Sequence, residues 1–178
     1  GNFLYFGTPK KREVWIKYIK KVSNKYIKKQ YKNYDVKNTT ITIPIMLGYF
    51  GGLIHQTQKN IQEILLEETL EVLFECKPDA LILLRPHMIS DLNIVNNIIK
   101  KFPKLKIFIT YLPPLILATK SKFVIANDYT TSLNDFKIMG VKTIEYASYN
   151  NKCLEMTSGK SMRPEYVDYF INKNKLIL

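Results

Sequence analysis

Hydrophobic positions along this chain switch between short, nearly unbroken runs and a three-to-four-residue spacing. That is the pattern of buried strands alternating with amphipathic helices. Residues 3–7 read as a short strand or extended arm closed by a turn at Gly7-Thr8-Pro9. Trp15, Tyr18, Ile19, Val22 and Tyr26 then recur at helical spacing, which predicts a helix with those side chains inward and its lysines opposite, as a solvated face or, alternatively, a contact to anionic lipid. Residues 28–40 are polar and read as a connector. Residues 41–53 read as a buried strand that breaks at Gly51-Gly52, and a helix is predicted over about 57–75 with Ile61, Ile64, Leu65, Leu70, Leu73 and Phe74 inward.

The same alternation continues. The run "ALILLRPH" predicts a strand covered on both faces. Ser90 or Asp91 can cap the next helix, which is expected to bury Leu92, Val95, Ile98, Ile99 and Phe102. "LKIFIT" is a strand, "PPLILATK" a short helix, "KFVIAN" a strand, "TSLNDFKIMG" a helix stopped at Gly140, and "VKTIEY" a strand. Pro164 then suits the first turn of a helix burying Val167, Phe170 and Ile171. Repeated strand-helix units predict an α/β fold: an open parallel Rossmann-like sheet with helices on both faces.

Composition narrows the picture. At 178 residues and 46% apolar, the chain suits one domain with a substantial core. No apolar run is long enough to span a bilayer, and no secretion signal is read at the start. A start at Gly1 and not Met suggests a fragment. Cys76 and Cys153 form no metal-binding cluster and read as reduced thiols of a cytoplasmic protein. A net charge of +12 favours phosphorylated ligands or an anionic membrane surface. The excess is almost all lysine; with only three arginines, nucleic acid is disfavoured as a partner.

Ligands of open α/β sheets bind at the carboxyl ends of the strands. The residues following each predicted strand are therefore the candidates: Gly51-Gly52, Arg85-Pro86-His87, Thr110-Tyr111, Asn127 to Ser132, and Glu145-Tyr146. Gly51-Gly52 is either a plain turn or a close approach for a phosphate, and Arg85 and His87 are either an ordinary polar strand end or, for Arg85, a charge-assisted fork. His87 can donate to an oxyanion or exchange a proton. Asp128, Thr130, Thr131 and Ser132 either cap the following helix or supply donors to an anion at its start. Glu145 is either a surface carboxylate or an acceptor for ribose hydroxyls, His55 reads as a surface histidine, and Asp135 reads as a structural support within its helix.

The segment "IANDYTTSLNDFKIMGVKTIEY" resembles the donor-binding segment of CDP-glycerol glycerophosphotransferases and related capsule and teichoic-acid transferases. Asp128, Tyr129, Thr130 and Thr131 match that family's Asp-Tyr-Ser-Ser, with Thr for Ser, and Asp135 falls on its later Asp. "LLRPH" is similar to its Arg-x-His-Pro strand end, with Met88 in place of Pro, and "FGTPKKREVW" to the segment joining its two halves. The family's second histidine has no counterpart; Thr110 or Tyr111 stands about there.

The resemblance implies the carboxyl-terminal, donor-binding half of a GT-B-type transferase, with residues 1–40 as an inter-domain arm and basic helix and 41–178 as the nucleotide-donor domain. By that likeness His87, Thr130 and Thr131 contact the donor phosphates, with Arg85 a weaker match. The implied substrate is a nucleotide-activated sugar or polyol, used in cell-surface polysaccharide assembly. No cofactor and no metal are expected, since no Asp-x-Asp motif is present. The implied partner is an amino-terminal domain or separate subunit, on the cytoplasmic side; the peripheral anionic membrane contact is an expectation from the lysine-rich helix and the net charge alone. A non-catalytic nucleotide-binding subunit, a UDP-sugar 2-epimerase-like domain and a basic surface-binding module stay open as alternatives.

Overall fold

A computed structural model describes residues 9–30, 41–48 and 60–175. The arm expected at 3–7, most of the connector, Gly51, Gly52 and His55 lie outside the described residues. Six strands form one sheet: β1 (Thr42–Leu47), β2 (Leu81–Arg85), β3 (Lys106–Ile109), β4 (Phe123–Asn127), β5 (Lys142–Ala147) and β6 (Tyr169–Asn172). Their spatial order is β3-β2-β1-β4-β5-β6, and every neighbouring pair is parallel. This is the Rossmann-like α/β architecture that the apolar runs predicted.

The helices are α1 (Glu13–Gln30), α2 (Ile61–Cys76), α3 (Leu92–Ile99), α4 (Pro114–Ala118), α5 (Leu133–Ile138) and α6 (Asn151–Met156). The period of two explains how both faces are filled. On β2, Leu81 and Leu83 join a core with Ile19 and Ile27 of α1, Leu115 and Ile116 of α4, and Phe136 of α5. Ile82 and Leu84 join a second core with Leu66, Leu70 and Leu73 of α2 and Val95 and Ile98 of α3. Strands β1, β2 and β4 are thus buried on both sides, which is why their sequences read as continuous runs.

Local signals set several boundaries. The Asp91 carboxylate accepts from the Asn93 N–H at 2.8 Å and caps α3. Gly140, with φ of 77°, takes the left-handed turn that ends the α5 region. Cys76 and Cys153 are free thiols, one exposed and one buried. Among the described residues, no helix is long and apolar enough to cross a membrane.

Four expectations are corrected. The inward stripe of α1 is Ile19, Ser23 and Ile27, whereas Trp15, Tyr18 and Tyr26 are exposed. The buried stripe is narrow, so the aromatics fall on the neighbouring flank of the helix. On α2, Phe74 is also exposed, and so is Leu92 at the start of α3, both expected inward. The helix expected after Pro164 is a single 3-10 turn, Pro164–Tyr166, followed by edge strand β6 pairing with β5. No element was expected at α6, which has no apolar periodicity to read; it is fixed by Asn150, whose side chain accepts from the Cys153 N–H at 2.9 Å. The described part of the expected amino-terminal arm shares the core of the sheet through Ile19 and Ile27. Lys10 further ties it down by an ion pair to Asp135 at 3.0 Å.

Candidate functional site

The order of the sheet reverses between β1 and β4. The chain leaving β1 reaches α2 on one face, and the chain leaving β4 reaches α5 on the other. Connections that diverge in this way leave a crevice at the carboxyl ends of the two strands. Leu47 pairs with Asn127, and the Gly48 N–H donates to the Asn127 carbonyl at 3.0 Å. Gly48 and Asn127-Asp128 therefore stand at this switch point.

Polar groups of α2 hold these residues in place. The Gln62 side-chain amide donates to the Asp128 carboxylate at 2.7 Å, and both side chains are buried. The Asn127 amide donates to the Thr69 hydroxyl at 2.7 Å and to the Leu65 carbonyl at 3.3 Å. A side chain at position 48 would meet the Asn127 carbonyl and the Gln62 amide, each at 3.1 Å, so Gly48 is there for close approach. Asp128 has φ of 73°, a left-handed conformation that Asp tolerates better than most residues. Its N–H donates to the Tyr146 carbonyl at 2.8 Å, so the turn begins as the chain leaves the sheet.

The hydroxyl cluster follows directly. The Thr130 hydroxyl accepts from the Ser132 N–H at 3.3 Å, and the Thr130 carbonyl receives the Leu133 N–H. Thr130 thus does the local capping, while Ser132 at the start of α5 makes no side-chain cap bond. Thr131 is exposed, and Thr130 and Ser132 are half-buried. Tyr129 turns the other way, towards Ala147, Tyr149 and Cys153.

Arg85 and His87 leave the end of β2 in different settings. Arg85 is half-buried, and its Nε donates to the Leu112 carbonyl at 3.3 Å. Burial lowers its guanidinium pKa, against the opposing pull of Tyr111 and Asp135. Its place in the β2 alternation puts it on the same face as Leu81 and Leu83. Arg85 therefore packs beneath the β3–α4 connection, with Asp135 as its nearby counter-charge. His87 is exposed, and its Nδ1 accepts from the Ile89 N–H at 3.5 Å.

Glu145 lies elsewhere than the sequence suggested. The strand β5 runs on to Ala147, so Glu145 and Tyr146 sit within it and not beyond its end. Glu145 is 1% exposed, and its two oxygens accept from the Tyr149 hydroxyl at 2.6 Å and the Ser161 hydroxyl at 2.8 Å. Burial first, and then the charge and hydrogen bond of Glu145, push the Tyr149 phenol far above its ordinary range. The carboxylate is turned inward and braces the segment after β5, where the sequence suggested a ribose acceptor.

The structure therefore gathers Asp128, Thr130, Thr131 and Ser132 on one turn and sets Gly48 and Gln62 beside it. Gly51 and Gly52 lie outside the described residues. Gln62 and Gly48 were not singled out from the sequence. A signal for Gln62 was present: Gln62 and Thr69 are polar residues seven apart within the buried stripe Ile61, Leu65, Leu66, Leu70 and Leu73. Among the described residues, no group of acidic, His or Cys side chains is arranged to hold a metal ion. No protein-family model matches the chain, and no curated protein matches it.

Proposed function

We propose that this chain binds a nucleotide-activated sugar or polyol as the donor-binding half of a GT-B-type transferase in cell-surface polysaccharide assembly. The observation that carries the reading is the reversal of sheet order between β1 and β4, with the Asp128–Ser132 turn at the carboxyl end of β4. Nucleotides bind open α/β sheets at such a point. Thr131 and Ser132 would supply hydroxyl donors to the diphosphate. Gln62 and Asp128 would hold the turn in shape. His87, exposed where the chain leaves β2, would donate to a leaving diphosphate oxygen. Arg85 supports the same strand end by packing. In a GT-B enzyme the acceptor comes from a second domain across the cleft, so transfer needs that domain in the same chain or in a partner subunit.

The test is a thermal-shift titration with CDP, UDP, CMP, UDP-sugars and CDP-glycerol. Stabilisation by one nucleotide class that is lost in Thr131→Ala and His87→Ala supports the reading. A flat response to every nucleotide overturns it. Transfer assayed with and without a candidate amino-terminal half then separates a catalytic domain from a binding subunit.

A further inference from the structure

The helix α1 has three kinds of face. Ile19, Ser23 and Ile27 are buried against the domain. Beside them Val14, Trp15, Tyr18 and Tyr26 are exposed, Trp15 by 41% and Tyr18 by 50%, and the Trp15 and Tyr18 rings stack with centroids 5.5 Å apart. Arg12, Val14, Trp15 and Tyr18 line a shallow recess there. Lys21, Lys25 and Lys29 continue from Val14 and Tyr18 at steps of three and four residues, so they share that flank. All three lysines are exposed.

Charge on this element is one-sided. Residues 9–30 carry nine lysines and arginines and a single carboxylate, Glu13, which pairs with Lys17 at 2.8 Å. A solvated helix has no need of a stacked Trp-Tyr pair in water, and a protein-facing helix is rarely this rich in lysine. Aromatic rings level with lysines on one flank fit the headgroup zone of an anionic bilayer. There the rings bury their apolar bodies and the ammonium groups meet lipid phosphates. The helix is also held rigidly against the domain, by Ile19 and Ile27, by the Lys10–Asp135 pair, and by the Thr110 hydroxyl donating to Gln30 at 3.4 Å. It can therefore dock without first having to fold.

We infer that the Val14–Trp15–Tyr18–Tyr26 flank of α1, with Lys21, Lys25 and Lys29, docks this protein peripherally on anionic lipid. The inference is independent of what the crevice binds.

Trp15 is the only tryptophan in the chain, so its fluorescence reports on this face directly. The full chain is mixed with vesicles of phosphatidylcholine alone and with vesicles also containing phosphatidylglycerol. The expected result is co-sedimentation and a blue-shifted, acrylamide-shielded Trp15 emission with the anionic vesicles only, both reversed by added salt. Replacing Lys21, Lys25 and Lys29 together by Gln should lower vesicle partitioning by roughly a hundredfold. Lipids brominated in the upper acyl chain should quench Trp15 in the unmodified protein, a readout that needs no variant. Equal binding to neutral vesicles, or no response to either, overturns the inference. So does a blue shift that appears without lipid, whether on raising the protein concentration or on adding a separate amino-terminal domain, because it assigns the face to a protein contact.

Discussion

Gln62 on α2 donates to the buried carboxylate of Asp128 at 2.7 Å, joining the first helix after β1 to the turn after β4. The two residues are far apart in sequence, and their bond braces the switch point from one side. The Asp128 backbone is left-handed, with φ of 73°. Asp128→Ala removes the acceptor, leaves the Gln62 amide buried without it, and places Ala in a conformation it tolerates poorly. We expect a loss of about 2–4 kcal/mol. Asp128→Asn keeps an acceptor oxygen and should cost less than half as much. Urea unfolding of the two variants against the parent checks the order.

Gly48→Ala places a methyl group 3.1 Å from the Asn127 carbonyl and 3.1 Å from the Gln62 amide. Gln62 is fixed by Asp128, and the carbonyl belongs to the sheet, so neither yields cheaply. The expected cost is about 1–3 kcal/mol. Nucleotide-induced stabilisation should fall beyond what the lost stability explains, read as the midpoint shift per unit of ligand.

Thr130 and Thr131 are neighbours with different expected outcomes. The Thr130 hydroxyl caps the turn by accepting from the Ser132 N–H, so Thr130→Ala should cost about 1 kcal/mol of stability. Thr131 is exposed, and Thr131→Ala should change stability by less than about 0.5 kcal/mol. If the hydroxyls serve a donor diphosphate, Thr131→Ala weakens nucleotide binding with the fold intact. Calorimetric titration of both variants separates a cap from a ligand contact.

Asp168 predicts the acid limb of stability. Burial raises its carboxyl pKa, but the Lys137 ammonium at 2.6 Å and the Thr143 N–H at 2.9 Å and hydroxyl at 3.2 Å outweigh it and hold the group below its ordinary 3.8. A depressed folded-state pKa means that the stabilisation is fully present above 3.8 and is lost as pH falls towards the lower folded value. Asp168→Asn should therefore lower stability at neutral pH and flatten the decline below pH 3.8. Denaturant midpoints measured across the acid range read this directly.

Tyr146 and Tyr149 predict the alkaline limb. Burial, and then their bonds to Glu68 at 2.5 Å and Glu145 at 2.6 Å, raise both phenols above the ordinary 10.0. A raised folded-state pKa gives stabilisation that is present below 10.0 and lost as pH rises through the folded value. Ultraviolet titration should show a late tyrosinate component that shrinks in Tyr149→Phe and again in the double variant with Tyr146→Phe. Tyr149→Phe also withdraws a donor from the buried Glu145 carboxylate and should cost about 1–3 kcal/mol.

Much of the sheet was legible because parallel strands buried on both faces must be apolar throughout, as in Leu81–Leu84 and Val124–Ala126. Where polarity and spacing gave two answers, the sequence misled. Trp15, Tyr18 and Tyr26 share a stripe, but so do Ile19, Ser23 and Ile27, and the polar Ser23 interrupts the apolar signal of the second set. The signal of Pro164 marked only a 3-10 turn, and the short edge strand β6 has no long run to announce it. Asp128 and the threonines were found because turn residues stand out after an apolar strand. Glu145 was misplaced because β5 extends to Ala147. The role of Gln62 depends on a partner remote in sequence, and local pattern does not contain that.

The pairing of β1 with β4, in register from Ile45 with Ile125 to Leu47 with Asn127, also has a bearing on how the molecule assembles. Strands β1 to β3 can pair among themselves as they are made, yet the crevice lacks one wall until β4 arrives. Any ligand held there clasps an early half of the chain to a late one. Its binding would slow unfolding by opposing the separation of the two halves, more than by tightening either alone.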